Sequence, residues 1–120
     1  MQYMLLIYGE ESLWERRSAE EVEKLMAGYG KLGDELRAQG KLRGGDELAP
    51  TGSATTVQVR NGDTIVSDGP FAATKEVLGG YFLVEAESLD EAIDWASKIP
   101  DAHDGKIEIR PIVQHGGDSA

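Results

Sequence analysis

The sequence predicts a mixed α+β domain on the split βαβ plan, and three observations carry that prediction. Two short runs, Gln2 to Tyr8 and Gly79 to Ala86, alternate with the two-residue period of a strand and are apolar on both sides. Two longer stretches repeat apolar residues at the three-and-four spacing of an amphipathic helix, each behind a Ser-x-x-Glu start signal. Between them an Asn61-Gly62 pair separates two β-rich runs, which is the strongest short-range hairpin signal.

Taken in order, Tyr3, Leu5 and Ile7 point to one side of the first strand, and Met4, Leu6 and Tyr8 to the other. Ser18 to about Gln39 reads as a helix, with Val22, Leu25, Met26, Tyr29, Leu32, Gly33 and Leu36 on its apolar stripe. Ser18 and Glu21 form a capping box, and Gly40 is the expected stop. Gly33, on the stripe, is expected to allow close helix–sheet approach; Gly28 and Gly30 have no account at this level. Leu42 to Leu48 reads as a short strand, and Thr55 to Arg60 with Thr64 to Ser67 as a half-exposed hairpin. In the strand from Gly79 to Ala86, Tyr81 and Leu83 oppose Phe82 and Val84. Ser88 and Glu91 open a second helix, with Leu89, Ala92, Ile93, Ala96 and Ile99 facing inward and Pro100 near its end. Lys106 to Val113 reads as the last strand, with Ile107, Ile109 and Val113 facing the core and Pro111 at an edge.

The order β, long α, β, hairpin, β, α, β is the ferredoxin-like split βαβ plan with a hairpin inserted between its middle strands. In that plan the first and third core strands are central, and they are the two with apolar residues on both faces. Two helices cover one face of such a sheet. The other face predicts a second copy packed sheet to sheet, and hence a homodimer. Residues 1–114 form the expected domain, and 115–120 a flexible tail.

Composition sets outer limits. The chain has 120 residues, one domain by size, with a formal net charge of -10. That balance opposes the broad basic surface of a nucleic-acid binder and docking on anionic membranes. With no cysteine, disulfides, thiolate catalysis and Cys-based zinc sites are excluded. The first apolar run is too short to span a membrane and lacks the features of a signal peptide, so a cytoplasmic protein is expected.

The segment with the most chemical promise runs from Ser67 to Gly80. Asp68 closes a strand, Gly69-Pro70 sets a tight turn, Phe71 is an apolar anchor, and Lys75-Glu76 follow within folding-back distance. Gly79 and Gly80 would admit a close backbone or ligand. Asp68-Gly69-Pro70-Phe71 with Lys75-Glu76 and Gly79-Gly80 resembles the signature of the DGPF group of YCII-related proteins. Gly44-Gly45-Asp46-Glu47-Leu48, Ser88-Leu89-Asp90-Glu91-Ala92 and Glu108-Ile109-Arg110-Pro111-Ile112 fit the same group, so the resemblance covers nearly the whole chain. It implies a dimeric α/β barrel with a cleft near the dimer interface, in a family without an established biochemical role. It also implies a link to extracytoplasmic-function sigma factors. Another branch of YCII-related proteins carries a His–Asp pair proposed as catalytic. The histidines here, His103 and His115, lie outside the first helix and away from Asp68, so that pair is not carried over.

Two functional readings follow. In the first, the protein is a small-molecule enzyme or binding protein without metal or other cofactor. Asp68 moves a proton and Lys75 stabilises developing negative charge, while Gly69, Pro70, Phe71, Glu76 and Arg110 contact substrate. In the second, the protein is a non-catalytic regulatory or interaction module whose Asp-Gly-Pro-Phe loop is purely structural. Asp68 would then accept hydrogen bonds from loop N–H groups, Lys75 would form a surface ion pair, and Phe71 would pack in the core.

Overall fold

Alternating apolar residues give the chain its first strand, and the fold is built outward from it. The computed structural model describes residues 1–115; the rest of the tail expected from 115 lies outside the described residues. Strand β1 (Gln2–Gly9) buries Tyr3, Leu5, Ile7 and Gly9 on one side and leaves Met4, Leu6 and Tyr8 half-buried on the other. It pairs antiparallel with β5 (Val77–Glu85) and with β6 (Lys106–Pro111), and β5 pairs with β2 (Leu42–Glu47). The four-stranded order β2-β5-β1-β6 is the split βαβ arrangement read from the sequence, with β1 and β5 central.

Helix α2 (Ala19–Ala38) starts at the capping box, with Ser18 accepting from the Glu21 N–H and Glu21 accepting from the Ser18 N–H. It ends in a Schellman motif: the Lys41 N–H bonds to the Leu36 carbonyl at 2.8 Å, and Gly40 takes a φ of 67°. Helix α3 (Leu89–Ser97) is capped by Ser88, but Glu91 accepts from the Glu87 N–H, one residue earlier than a capping box requires. The core lies between these helices and one sheet face, where Leu32 and Leu36 of α2 meet Leu5, Val84, Trp95 and Ile99.

Both apolar stripes are narrower than the sequence pattern. On α2 only Leu32, Gly33 and Leu36 are buried, whereas Val22 and Met26 stay exposed. On α3 the buried residues are Ala92, Trp95 and Ala96; Leu89 and Ile93 face solvent, while the Trp95 indole lies in the core. Gly33 does not meet the sheet: a Cβ there would touch the Arg37 guanidinium. Gly28 gains an account, since a Cβ there would lie 3.0 Å from the Pro100 ring. Val113 is 71% exposed rather than in the core: β6 ends at Pro111, one further backbone bond runs from the Ile112 N–H to the Gln2 carbonyl at 2.9 Å, and Val113 lies beyond it.

The hairpin is β3 (Thr55–Arg60) and β4 (Asp63–Asp68), joined by Asn61 at φ 52° and Gly62 at φ 84°, as a two-residue turn requires. It forms its own two-stranded sheet and is exposed on both faces rather than one. The radius of gyration is 16.5 Å, against about 14 Å for a compact chain of this length. A short helix absent from the sequence reading, α1 (Glu11–Glu15), precedes α2.

Leu36→Ala should cost about 2–5 kcal/mol in urea denaturation, the range for a fully buried leucine. Leu89→Ala should stay within about 0.5 kcal/mol, since its stripe position is exposed. Equal losses at both sites would contradict the placement of α3.

Candidate functional site

A cavity of about 460 Å³ opens between α1, the N-terminal half of α2 and the β2–β5 side of the sheet. Its origin is local. The register of β1 against β5 slips between Ile7 and Tyr8, and Gly79 falls in the slip. The Trp14 indole of α1 lies across Gly9 and Gly79; a Cβ would stand 2.6 Å from the ring at Gly9 and 2.5 Å at Gly79. Trp14 therefore forms one wall. The exposed part of the α2 stripe, Val22 and Met26, forms another, and Leu48 and Leu78 line the sheet side. Glu11 fastens the segment after β2 to α1, its two carboxylate oxygens accepting from the Thr51 N–H at 2.7 Å and the Thr51 hydroxyl at 2.6 Å. Those bonds hold the Glu11 carboxyl below the usual carboxylate range.

The cavity also contains the one buried charge among the described residues. Asp101, in the 3-10 turn Pro100–Ala102, accepts from Arg17 at 2.6 Å and from the Tyr29 hydroxyl through its other oxygen. The side chains of Arg17 and Asp101 are 13% and 10% exposed. Burial, and then the bond to Asp101, pushes the Tyr29 phenol well above its usual range. Tyr29 also stacks on Phe82, with ring centroids 6.1 Å apart. The result is a largely apolar chamber whose wall holds this paired polar cluster, with the carboxylates of Glu15 and Glu47 also in the lining, a composition usual for a small-molecule site.

The sequence-derived site residues lie elsewhere. Asp68 ends β4 on the hairpin, exposed, and its carboxylate has no hydrogen-bond or ion-pair partner among the described residues. The turn after it is held without that carboxylate: the Gly69 N–H bonds to the Ala54 carbonyl at 2.7 Å, and the Thr56 hydroxyl donates to the Gly69 carbonyl at 2.7 Å. Gly69 takes a φ of 87°, and the Gly69–Pro70 bond is trans. Lys75 reaches Glu10 at 3.3 Å instead of Asp68. Glu76 pairs with Lys106 at 2.7 Å, and Arg110 with Glu108 at 3.1 Å. Phe71, expected as a core anchor, is 90% exposed because the arm carries its loop away from the helices. Lys75 is joined to the cavity's edge only indirectly, since its partner Glu10 precedes the lining residue Glu11. Among the described residues, no group of three or more His, Asp or Glu is arranged to hold a metal ion.

Sequence reasoning missed Trp14, Arg17 and Asp101. Trp14 and Arg17 lie in the span between the first strand and the first long helix, where no periodicity marks them. Asp101 follows Pro100 and reads as a loop acid until the fold buries it.

The family model for the YCII-related domain matches residues 1–115. The chain belongs to the YCII-related family. An uncharacterised protein of Rhizobium meliloti (strain 1021) is 40% identical over 114 residues, spanning 93% of this chain and 92% of its own length. Neither match names a reaction. No helix among the described residues is long and apolar enough to cross a membrane.

Removing Asp101 should be costly. Asp101→Ala leaves the Arg17 guanidinium without its buried partner and should lose about 3–5 kcal/mol, measured by chemical denaturation. A loss under about 1 kcal/mol would mean the pair is solvated. Thr51→Val should raise the Glu11 pKa toward its ordinary value in an NMR titration. The lowered pKa stabilises the fold above the ordinary carboxylate range, and that contribution is lost as pH falls through the folded value.

Proposed function

We propose that this YCII-related protein binds a small organic molecule in the cavity between α1, α2 and the β2–β5 side of the sheet, and that it works as a homodimer. The observation that carries the first half is the chamber itself. Its volume lies within the range of about 300–1,000 Å³ typical of ligand sites, and its lining combines apolar side chains with a small number of polar groups. The homodimer rests on the second face of the sheet. Met4, Leu6, Tyr8, Tyr81 and Leu83 project from the side opposite the helices, and a second sheet packed there would form the dimeric α/β barrel that the family resemblance implies.

A second reading keeps Asp68 and Lys75 as acid–base groups of a metal-free reaction. The free carboxylate of Asp68 favours it, because the turn is already fixed by Thr56 and Ala54 and leaves that side chain no structural task inside the subunit. In this reading Gly69, Pro70, Phe71, Glu76 and Arg110 belong to a cleft completed by the partner subunit.

Thermal shift with small neutral aromatic and aliphatic fragments should find ligands that raise Tm. A ligand at a hundred times its Kd adds about 2.7 kcal/mol. Val22→Trp, whose indole would fill the chamber, should abolish the effect. Fragments that stabilise both proteins equally bind elsewhere and sink the cavity reading. Sedimentation should show a dimer at micromolar concentration that Leu6→Glu dissociates; a monomeric wild type contradicts the homodimer. Asp68→Asn should leave Tm and the dimer unchanged, and a large loss of stability would return the loop to a structural role.

A further inference from the structure

We infer that the cavity selects an organic cation, an apolar body carrying an ammonium or similar group, over an anion of the same shape. The inference rests on the cavity reading above and adds the charge class of the ligand. Its first support is the balance of charge in the lining. Glu11, Glu15, Glu47 and Asp101 contribute carboxylates, and Arg17 contributes the one cation. Arg17 is already engaged, 2.6 Å from Asp101 and 3.7 Å from Asp104. An entering carboxylate or phosphate would therefore meet a guanidinium neutralised by two acids. Glu15 and Glu47 have no cationic partner among the described residues. Lys75 is paired with Glu10, outside the lining. Low-dielectric walls focus the resulting negative field into the chamber.

The second support is independent of charge. Three aromatic rings on the helix side of the sheet line the space: Trp14, Tyr29 and Phe82. Trp14 is fixed across Gly9 and Gly79, and Tyr29 by its bond to Asp101 and its stacking on Phe82. Aromatic faces attract cations through their quadrupoles and repel anions. Rings and carboxylates thus favour the same ligand charge, while Val22, Met26 and Leu78 leave room for its apolar part.

Benzylamine, benzyl alcohol and benzoate share a skeleton and differ in charge. Titrated into the full chain at low ionic strength and followed by the Trp14 indole N–H in NMR spectra, benzylamine should bind about tenfold tighter than benzoate, with the alcohol between them. High salt should narrow the gap. Glu15→Gln combined with Glu47→Gln should bring the amine-to-alcohol affinity ratio toward one. If the alcohol binds as tightly as the amine, or benzoate binds best, the charge inference is overturned while the cavity reading stands. A double variant with an unchanged ratio overturns it too. If none of the three moves the indole signal, both readings fall.

Discussion

A carboxylate taken out of water must find its partners inside the fold, and Asp101 is the acid in that position. Leaving either member of such a pair unmatched costs several kcal/mol, so the surrounding segments have to arrive together. Arg17 comes from the turn between α1 and α2, Tyr29 from the middle of α2, and Asp101 from the 3-10 turn after α3. These positions are 84 and 72 residues apart from Asp101 in sequence. Their meeting fixes where α2 crosses the sheet. Gly28 belongs to the same constraint, because its missing side chain lets the Pro100 ring approach α2. The polar cluster therefore positions the helix layer, and the C-terminal half of α2 fills the core beneath it.

The cavity is a consequence of that placement. Leu32 and Leu36 pack down, and the helix then leaves the sheet toward its N-terminus, so Val22 and Met26 overhang a gap. A gap lined by apolar side chains would ordinarily close by collapse. Here the Trp14 indole stands on the glycine pair at the slip between β1 and β5, and Glu11 holds the Thr51 segment in place. The chamber is propped by a rigid ring on one side and a doubly hydrogen-bonded loop on another. The groups that keep it open also line it, which ties the fold's local irregularities to the proposed site.

Much of the architecture was legible in the sequence because it follows short-range rules. Alternation gave the faces of β1 and β5, Ser18 with Glu21 marked the start of α2, and Asn61-Gly62 marked the turn of the hairpin. Where the reading failed, long-range packing overrode a local pattern. Leu89 and Ile93 satisfy helical spacing, yet Trp95, the larger residue one position off that stripe, takes the core. Phe71 is apolar and follows a tight turn, yet no element covers it in the subunit. The cavity was the least legible feature. It depends on a one-residue slip, on a five-residue helix too short to show a period, and on an acid whose burial only the assembled fold creates.

The motif that drew attention to the loop divides in two once placed. Its downstream glycines are architectural: Trp14 packs on Gly79, and at Gly80 a Cβ would lie 2.9 Å from the Asp46 carbonyl of the neighbouring strand. Its upstream half sits on the arm, where Asp68 has no partner and Phe71 is 90% exposed. Leaving a phenylalanine in water forgoes roughly 1.5–3 kcal/mol of burial. Val57, Val59 and Val66 on the same arm are each more than 60% exposed and forgo burial as well. Among the described residues nothing covers these side chains, and a contiguous apolar surface of this kind is what an interaction site presents. In the homodimer proposed above, a second copy of the chain would cover both the sheet face and the arm with the same set of residues.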